Sequence, residues 1–405
     1  MKLWVLALAA AAALPASAAE PWVAAWQASP AAQPAPASGP LKPIEGQTLR
    51  LRLRPSLAGR RLRVTLTNAY GTRPVVIGTA SIGRLVGGKI DPASVRPLTF
   101  SGAASITVPL GAPALSDPVD LAAGPADDLA ISLYLPQSTL PETYFRPAAA
   151  VDVAGTAAGG AGPDAALSAR GDFTRAAELP GATPSPRLFV SRLDVLASPS
   201  AGAVVVLGTT RTVGDGRWPD ILARRLAAAG RPLSVVNASM VANPLTHPYP
   251  GGGDAGLARF DRDVLMDPGV RYVILADAIN DIGQAGRLAP DSALPTLDEL
   301  AAAYRQMVAR AHARDVKVIA STLMPFAGVP FPGFYSPEKE ALRGALNQWI
   351  RTGGAFDGVI DMDALVRDPA DPLHFAKGLE VANHFAPNDA GEKRIGDAID
   401  LKLFR

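Results

Sequence analysis

The 405-residue chain contains no cysteine. That excludes disulfides, a thiol nucleophile and a thiolate metal site, so apolar cores must hold the fold. Histidine is scarce: His247, His312, His374 and His384 are scattered, with no metal-ligand spacing. Nothing in the sequence calls for a metal or an organic cofactor. An excess of either charge is missing as well. There are 39 basic and 37 acidic residues, a formal net charge of +2, and no long run of one sign. Nucleic acid is therefore not an expected partner, because phosphate binding needs a concentrated basic face. The triplet Gly251-Gly252-Gly253 is followed by no P-loop lysine and reads as a flexible loop.

What is present is apolar. Hydrophobic residues make up 48% of the chain, enough for sizeable cores, and the length favours two domains. Residues 1–19, MKLWVLALAAAAALPASAA, read as a secretory signal peptide cleaved near Ala18 or Ala19. The run is shorter than the roughly 20 residues a membrane span needs, so no stable anchor is expected from it. Export to the periplasm or the medium follows as an expectation.

Residues 20–197 read as β-rich. Leu49, Leu51 and Leu53 alternate with arginines, and Leu62, Val64 and Leu66 and then Leu129, Ile131, Leu133 and Leu135 repeat the period of two. Several such runs in series predict a β-sandwich-like domain. The stretch 151–186, rich in Ala, Gly and Pro, predicts a long loop. From 198 to 405 the pattern changes to alternating strands and helices. Strands are expected at Ala203–Leu207, Leu233–Asn237, Arg271–Ala276, Lys317–Thr322 and Gly358–Asp361. Helices are expected at Pro219–Ala229, Leu257–Met266, Thr296–Arg314, Pro337–Arg351 and Pro387–Lys402. This predicts an α/β fold, a three-layer α/β/α domain on a parallel sheet, with ligands beyond the carboxyl ends of the strands.

Four segments fall at those ends: Gly208-Thr209-Thr210, Asn237 to Asn243 (NASMVAN), Asp277 to Gly283 (DAINDIG), and Asn383 to Gly391 (NHFAPNDAG). In order and surroundings they resemble the SGNH, or GDSL-type, hydrolase family. Arg217-Trp218-Pro219-Asp220 fits that resemblance, and Trp22–Trp26 and Leu66–Gly71 are similar to the β-rich N-terminal domain of some secreted bacterial members. The resemblance implies acyl transfer to a serine. That chemistry needs a base for the hydroxyl and preorganised donors for the oxyanion.

Laid on the family pattern, the serine position falls on Thr210 and the aspartate before it on Thr209. The oxyanion glycine falls on Ala242, the oxyanion asparagine on Asn280, and the glycine two before it on Ala278. The final Asp-x-x-His pair falls on Asn383 and Ala386. The resemblance thus implies a hydrolase fold whose chemistry is impaired or absent, with a saccharide or an acylated small molecule as the ligand. The alternative is a working carboxylic-ester hydrolase that uses Thr210, with His384 or His374 of Asp371-Pro372-Leu373-His374 as base and Asn280 as donor. Ordinary structural roles compete at each position: a packed strand-end threonine at 210, a loop-capping asparagine at 280, a surface histidine at 384, and a first-turn helix charge at Asp389. A third reading makes the chain a structural envelope protein whose β-rich domain does the binding.

Overall fold

A computed structural model describes residues 21–33, 41–145, 164–208, 217–249, 251–288 and 292–405. The expected signal segment and Thr209–Thr210 lie outside the described residues. Among the described residues, no helix is long and apolar enough to cross a membrane.

The N-terminal region is built from antiparallel strands. One sheet runs Trp22–Gln27, Val190–Leu196, Leu62–Thr67, Pro113–Leu115. A larger one has Gln47–Leu53 and Leu129–Leu135 at its centre, paired in register from Leu129 opposite Leu53 to Leu135 opposite Gln47. The period-two alternation explains the burial. Leu49, Leu51 and Leu53 join Leu62, Val64, Leu66, Leu129, Ile131 and Leu133 in one core between the two sheets, while Arg50 and Arg52 keep partial solvent contact. Of the expected long loop 151–186, residues 151–163 lie outside the described residues, and the remainder is partly strand. Within it, Ala165–Arg170 is a strand on Gln47–Leu53, and Thr183–Pro184 adds to its outer edge. Small residues blur the alternation there, so the strand has no clear hydrophobic signature.

The second half is a five-stranded parallel sheet of β1 (Gly202–Gly208), β2 (Leu233–Asn237), β3 (Val270–Ala276), β4 (Lys317–Ser321) and β5 (Gly358–Ile360), in the order β2-β1-β3-β4-β5. The helices are α1 (Trp218–Ala228), α2 (Gly256–Phe260), α3 (Ile279–Gln284), α4 (Leu297–His312), α5 (Pro337–Thr352), α6 (Met362–Val366) and α7 (Asp389–Ala398). Alternate residues of β1 serve two cores. Val204 and Val206 pack with Trp218, Leu222 and Ile395, whereas Val205 and Leu207 pack with Leu300, Tyr304 and Leu346. A strand buried on both sides reads as a continuous apolar run, as VVVL does.

The helix ends follow local chemistry. Thr296 caps α4 in a reciprocal capping box with Glu299, Ser336 caps α5, and Asn388 caps α7. These caps explain why α4 and α7 begin later than Thr296 and Pro387, where hydrophobic periodicity placed them. The α2 helix continues as one wider turn over Asp261–Leu265.

The two halves are in direct contact. Ala24 of the strand Trp22–Gln27 belongs to the α/β core, and its carbonyl accepts from the Ser234 hydroxyl at 2.6 Å. Tyr70 donates to Asp254 at 2.5 Å, and Arg192 meets Asp267 at 3.2 Å.

Candidate functional site

Strand order reverses between β1 and β3, which opens a crevice at their carboxyl ends. Gly208 ends β1 so close to β3 that a Cβ would collide with the Ala276 carbonyl, so only glycine fits. Beyond these ends lies a cavity of about 90 Å³. Three of the positions singled out in the sequence line it together: Ala242, Asn383 and Ala386. Apolar surface dominates the rest of its wall, from Trp218, Met324, Met362 and Phe385.

Ala242 sits on the loop after β2 with φ +60° and Ala278 precedes α3 with φ +90°, both in the left-handed region. Each thus keeps a backbone conformation that glycine adopts freely and alanine resists. The Ala242 N–H has no acceptor among the described residues. Its carbonyl accepts from the Tyr249 hydroxyl, which closes the loop on itself.

Asn280, the other expected oxyanion donor, is buried and does not line the cavity. Its Nδ2 donates to the Asn243 carbonyl at 3.1 Å. Asn243 in turn accepts two bonds from Arg259 (2.8 and 3.0 Å) and donates to the Gly252 and Asp254 carbonyls. Asp281 takes the backbone N–H groups of Leu245 and Thr246 at 2.6 and 2.8 Å. The segment DAINDIG therefore fixes the loop that carries Ala242.

At the other wall, Asn383 accepts from the Phe385 N–H at 3.2 Å, and its Nδ2 makes no hydrogen bond among the described residues. Ala386, expected from the sequence at the histidine position, lines the same cavity. His384, also at positive φ, lies outside the lining and pairs through Nδ1 with Glu380 at 3.0 Å. His374 pairs with Asp371 at 2.8 Å, and it too is absent from the lining. His247 is exposed and meets the Thr246 hydroxyl. Asp389 opens α7 in its first turn and faces Arg217 at 3.4 Å. Pro219 lies in the first turn of α1, where its missing N–H costs nothing.

Sequence reasoning gave no role to four residues that shape the site. Ser321, at the end of β4, lines the cavity, and its hydroxyl has no partner among the described residues. Glu392 of α7 lines it too and accepts from the Trp218 N–H at 3.0 Å. Arg259 is the buried hub just described. Asp277 contributes to the lining from the end of β3. Burial, and then the neighbouring Asp281, push its carboxyl up to about 7, and its Oδ2 has no hydrogen-bond partner among the described residues. Ser321 and Asp277 lie at strand ends, a positional signal visible once the strands are drawn, whereas Arg259 and Glu392 lie within helices and carry none.

Residues 200–394 match the model of the GDSL-like Lipase/Acylhydrolase family. Among solved structures, the chain is similar to a GDSL-like lipase from Bacteroides thetaiotaomicron VPI-5482, at 16% identity over 50% of this chain and 87% of that one, with a TM-score of 0.37. It is also similar to the native M. smegmatis aryl esterase, at 16% identity over 49% of this chain and 96% of that one, with a TM-score of 0.38. No curated protein matches the chain.

Proposed function

Residues 200–394 belong to the GDSL-like lipase/acylhydrolase family, and from that premise we propose that this chain is an exported acylhydrolase-fold protein that binds its ligand without turning it over. The two clusters flanking the sheet are read as the outer layers of a three-layer α/β/α domain. One observation supports the proposal: Asn383 and Ala386, the positions the resemblance gives to the orienting carboxylate and the base, line one cavity. A methyl group accepts no proton, and without a base a threonine hydroxyl at Thr210 is a weak nucleophile at neutral pH. What the site retains suits binding. The Ala242 N–H, the Ser321 hydroxyl and the Asn383 amide are donors without an acceptor among the described residues, on a largely apolar wall. An acyl ester or acylated saccharide offers a carbonyl to such donors and an apolar chain to Phe385 and Met324.

A second reading has one observation in its favour. Glu380 holds His384 through Nδ1, as a carboxylate holds a catalytic imidazole, on the segment that carries Asn383 and Ala386. That reading makes the chain a carboxylic-ester hydrolase with Thr210 as nucleophile. The two readings separate in one assay, hydrolysis of a short-chain aryl acetate by the chain without residues 1–19. The expected result is no turnover above buffer in the starting protein or in Thr210→Ala, and turnover in the triple variant Thr210→Ser, Asn383→Asp, Ala386→His. Turnover in the starting protein that vanishes in Thr210→Ala and in His384→Ala establishes the second reading instead.

A further inference from the structure

The α/β half and the β-rich half enclose a second cavity, of about 160 Å³, which the acylhydrolase reading leaves unused. Its walls come from both halves. The β-rich half contributes Trp26, Arg187, Asp164 and Asp128, and the α/β half Arg217, Asp220 and Asn237. Its lining combines hydrogen-bonding side chains with aromatic and aliphatic ones. The Arg187 guanidinium lies 5.6 Å from the Trp26 ring centroid and pairs with Asp164 at 3.0 Å. Asp128 pairs with Arg52 at 2.7 Å and with Arg54 at 2.9 Å. These ion pairs fix the orientation of the groups that face the cavity.

Donors remain available there. Arg187 and Arg217 line the cavity with 16% and 17% of their side chains exposed. Asn237 accepts from the Ser239 N–H at 2.9 Å, while its Nδ2 makes no hydrogen bond there. Acceptors line the same space through Asp128, Asp164 and Asp220. A simple anion suits the arginines and is repelled by the three carboxylates. An apolar ligand strands both sets. A polyhydroxylated ring meets all of them, because each hydroxyl both donates and accepts, and its C–H face lies against an indole.

We propose that this interdomain cleft is a saccharide-binding site, with Trp26, Arg187, Arg217 and Asn237 as its recognition residues. It is separate from the cavity over Ala242 and Ala386 but adjoins it. Ser239 and Met240 line the cleft and Val241 and Ala242 the cavity, and Arg217 and Trp218 divide in the same way. The site does not depend on any chemistry at Thr210, so it stands or falls apart from the acylhydrolase reading.

The test is saturation-transfer NMR on the chain without residues 1–19, with D-xylose, D-glucose, D-glucuronate and inorganic phosphate. Neutral sugars and the uronate distinguish the two sources of a hydroxylated ring, and phosphate reports a plain anion site. The expected result is transfer to the ring protons of at least one sugar, undiminished in Thr210→Ala. Binding should weaken about tenfold in Trp26→Ala and in Asn237→Ala, with the melting temperature of Asn237→Ala close to that of the parent. No transfer to any of the sugars overturns the proposal. So does displacement of the sugar by phosphate, or transfer that survives unchanged in both variants.

Discussion

Ala242 holds the left-handed conformation with its side chain only partly buried. A non-glycine residue there carries a strain of about 1–2 kcal/mol, partly offset by the entropy that glycine loses on folding. Ala242→Gly is accordingly expected to stabilise the chain by about 1 kcal/mol. A denaturant midpoint that moves down instead would mean that the methyl group's packing outweighs the strain. Asp277 gives a prediction in pH. Its folded pKa, about 7, lies above the ordinary 3.8 because burial and Asp281 disfavour the charged form, with Arg259 opposing. A raised carboxyl binds its proton more tightly when folded. Its contribution is therefore complete below pH 3.8 and is lost as pH rises towards 7. Asp277→Asn should flatten the stability profile between pH 4 and 7 and raise stability at pH 8, by an amount on the order of a few kcal/mol. Equal pH slopes in parent and variant would show that the carboxyl ionises freely.

Among the elements, the loop from Ala238 to Asp254 depends on one side chain. Arg259 of α2 is fully buried and bonds Asn243, the Ala238 carbonyl, Asp263 at 3.1 Å and the Ser29 hydroxyl of the β-rich half at 3.1 Å. Its removal leaves Asn243 and the Ala238 carbonyl short of a donor, and Asp263 with Arg262 as its remaining cation. Arg259→Met should therefore cost about 3–5 kcal/mol, the scale of breaking a buried pair. Urea unfolding measures it, and a loss under about 1 kcal/mol would show water replacing the guanidinium. This hub was not legible in the sequence. Arg259 sits in an ordinary helical pattern, and nothing local says that Asn243 and Ser29 reach it. The parallel strands were legible because continuous apolar runs such as VVVL need burial on both faces. The six-residue α3 was not, since it is too short to show a period. Nor did the left-handed turn before it declare itself, because an alanine at 278 gives no sign of positive φ. Ala242, Asn383 and Ala386 were singled out only as a set, through motif order, and all three line one cavity. Ser321 and Glu392 carry no motif and become visible only once the strand ends converge.

At the scale of the whole molecule, the sequence suggested two domains, and side chains of the β-rich half pack into the α/β half. Ala24 fills the α/β core. Its backbone N–H donates to the Pro268 carbonyl at 2.9 Å, and Gly269 approaches Val23 too closely for any larger residue to fit without a shift. Gln27, Ser29, Ser56, Tyr70 and Arg192 add polar bonds across the same boundary. Domains that share buried side chains unfold together, because opening one exposes the core of the other. The chain should therefore unfold in one transition. Changing the tryptophans of one half to phenylalanine lets fluorescence follow the other half alone, Trp22 and Trp26 for the β-rich half and Trp218 and Trp349 for the α/β half. The two denaturation curves should coincide. Ala24→Asp places a carboxylate in the shared core and should shift both curves to lower denaturant by the same amount. If only the curve of one half moves, the halves are independent units, and the saccharide cleft between them then lacks the fixed geometry its recognition requires.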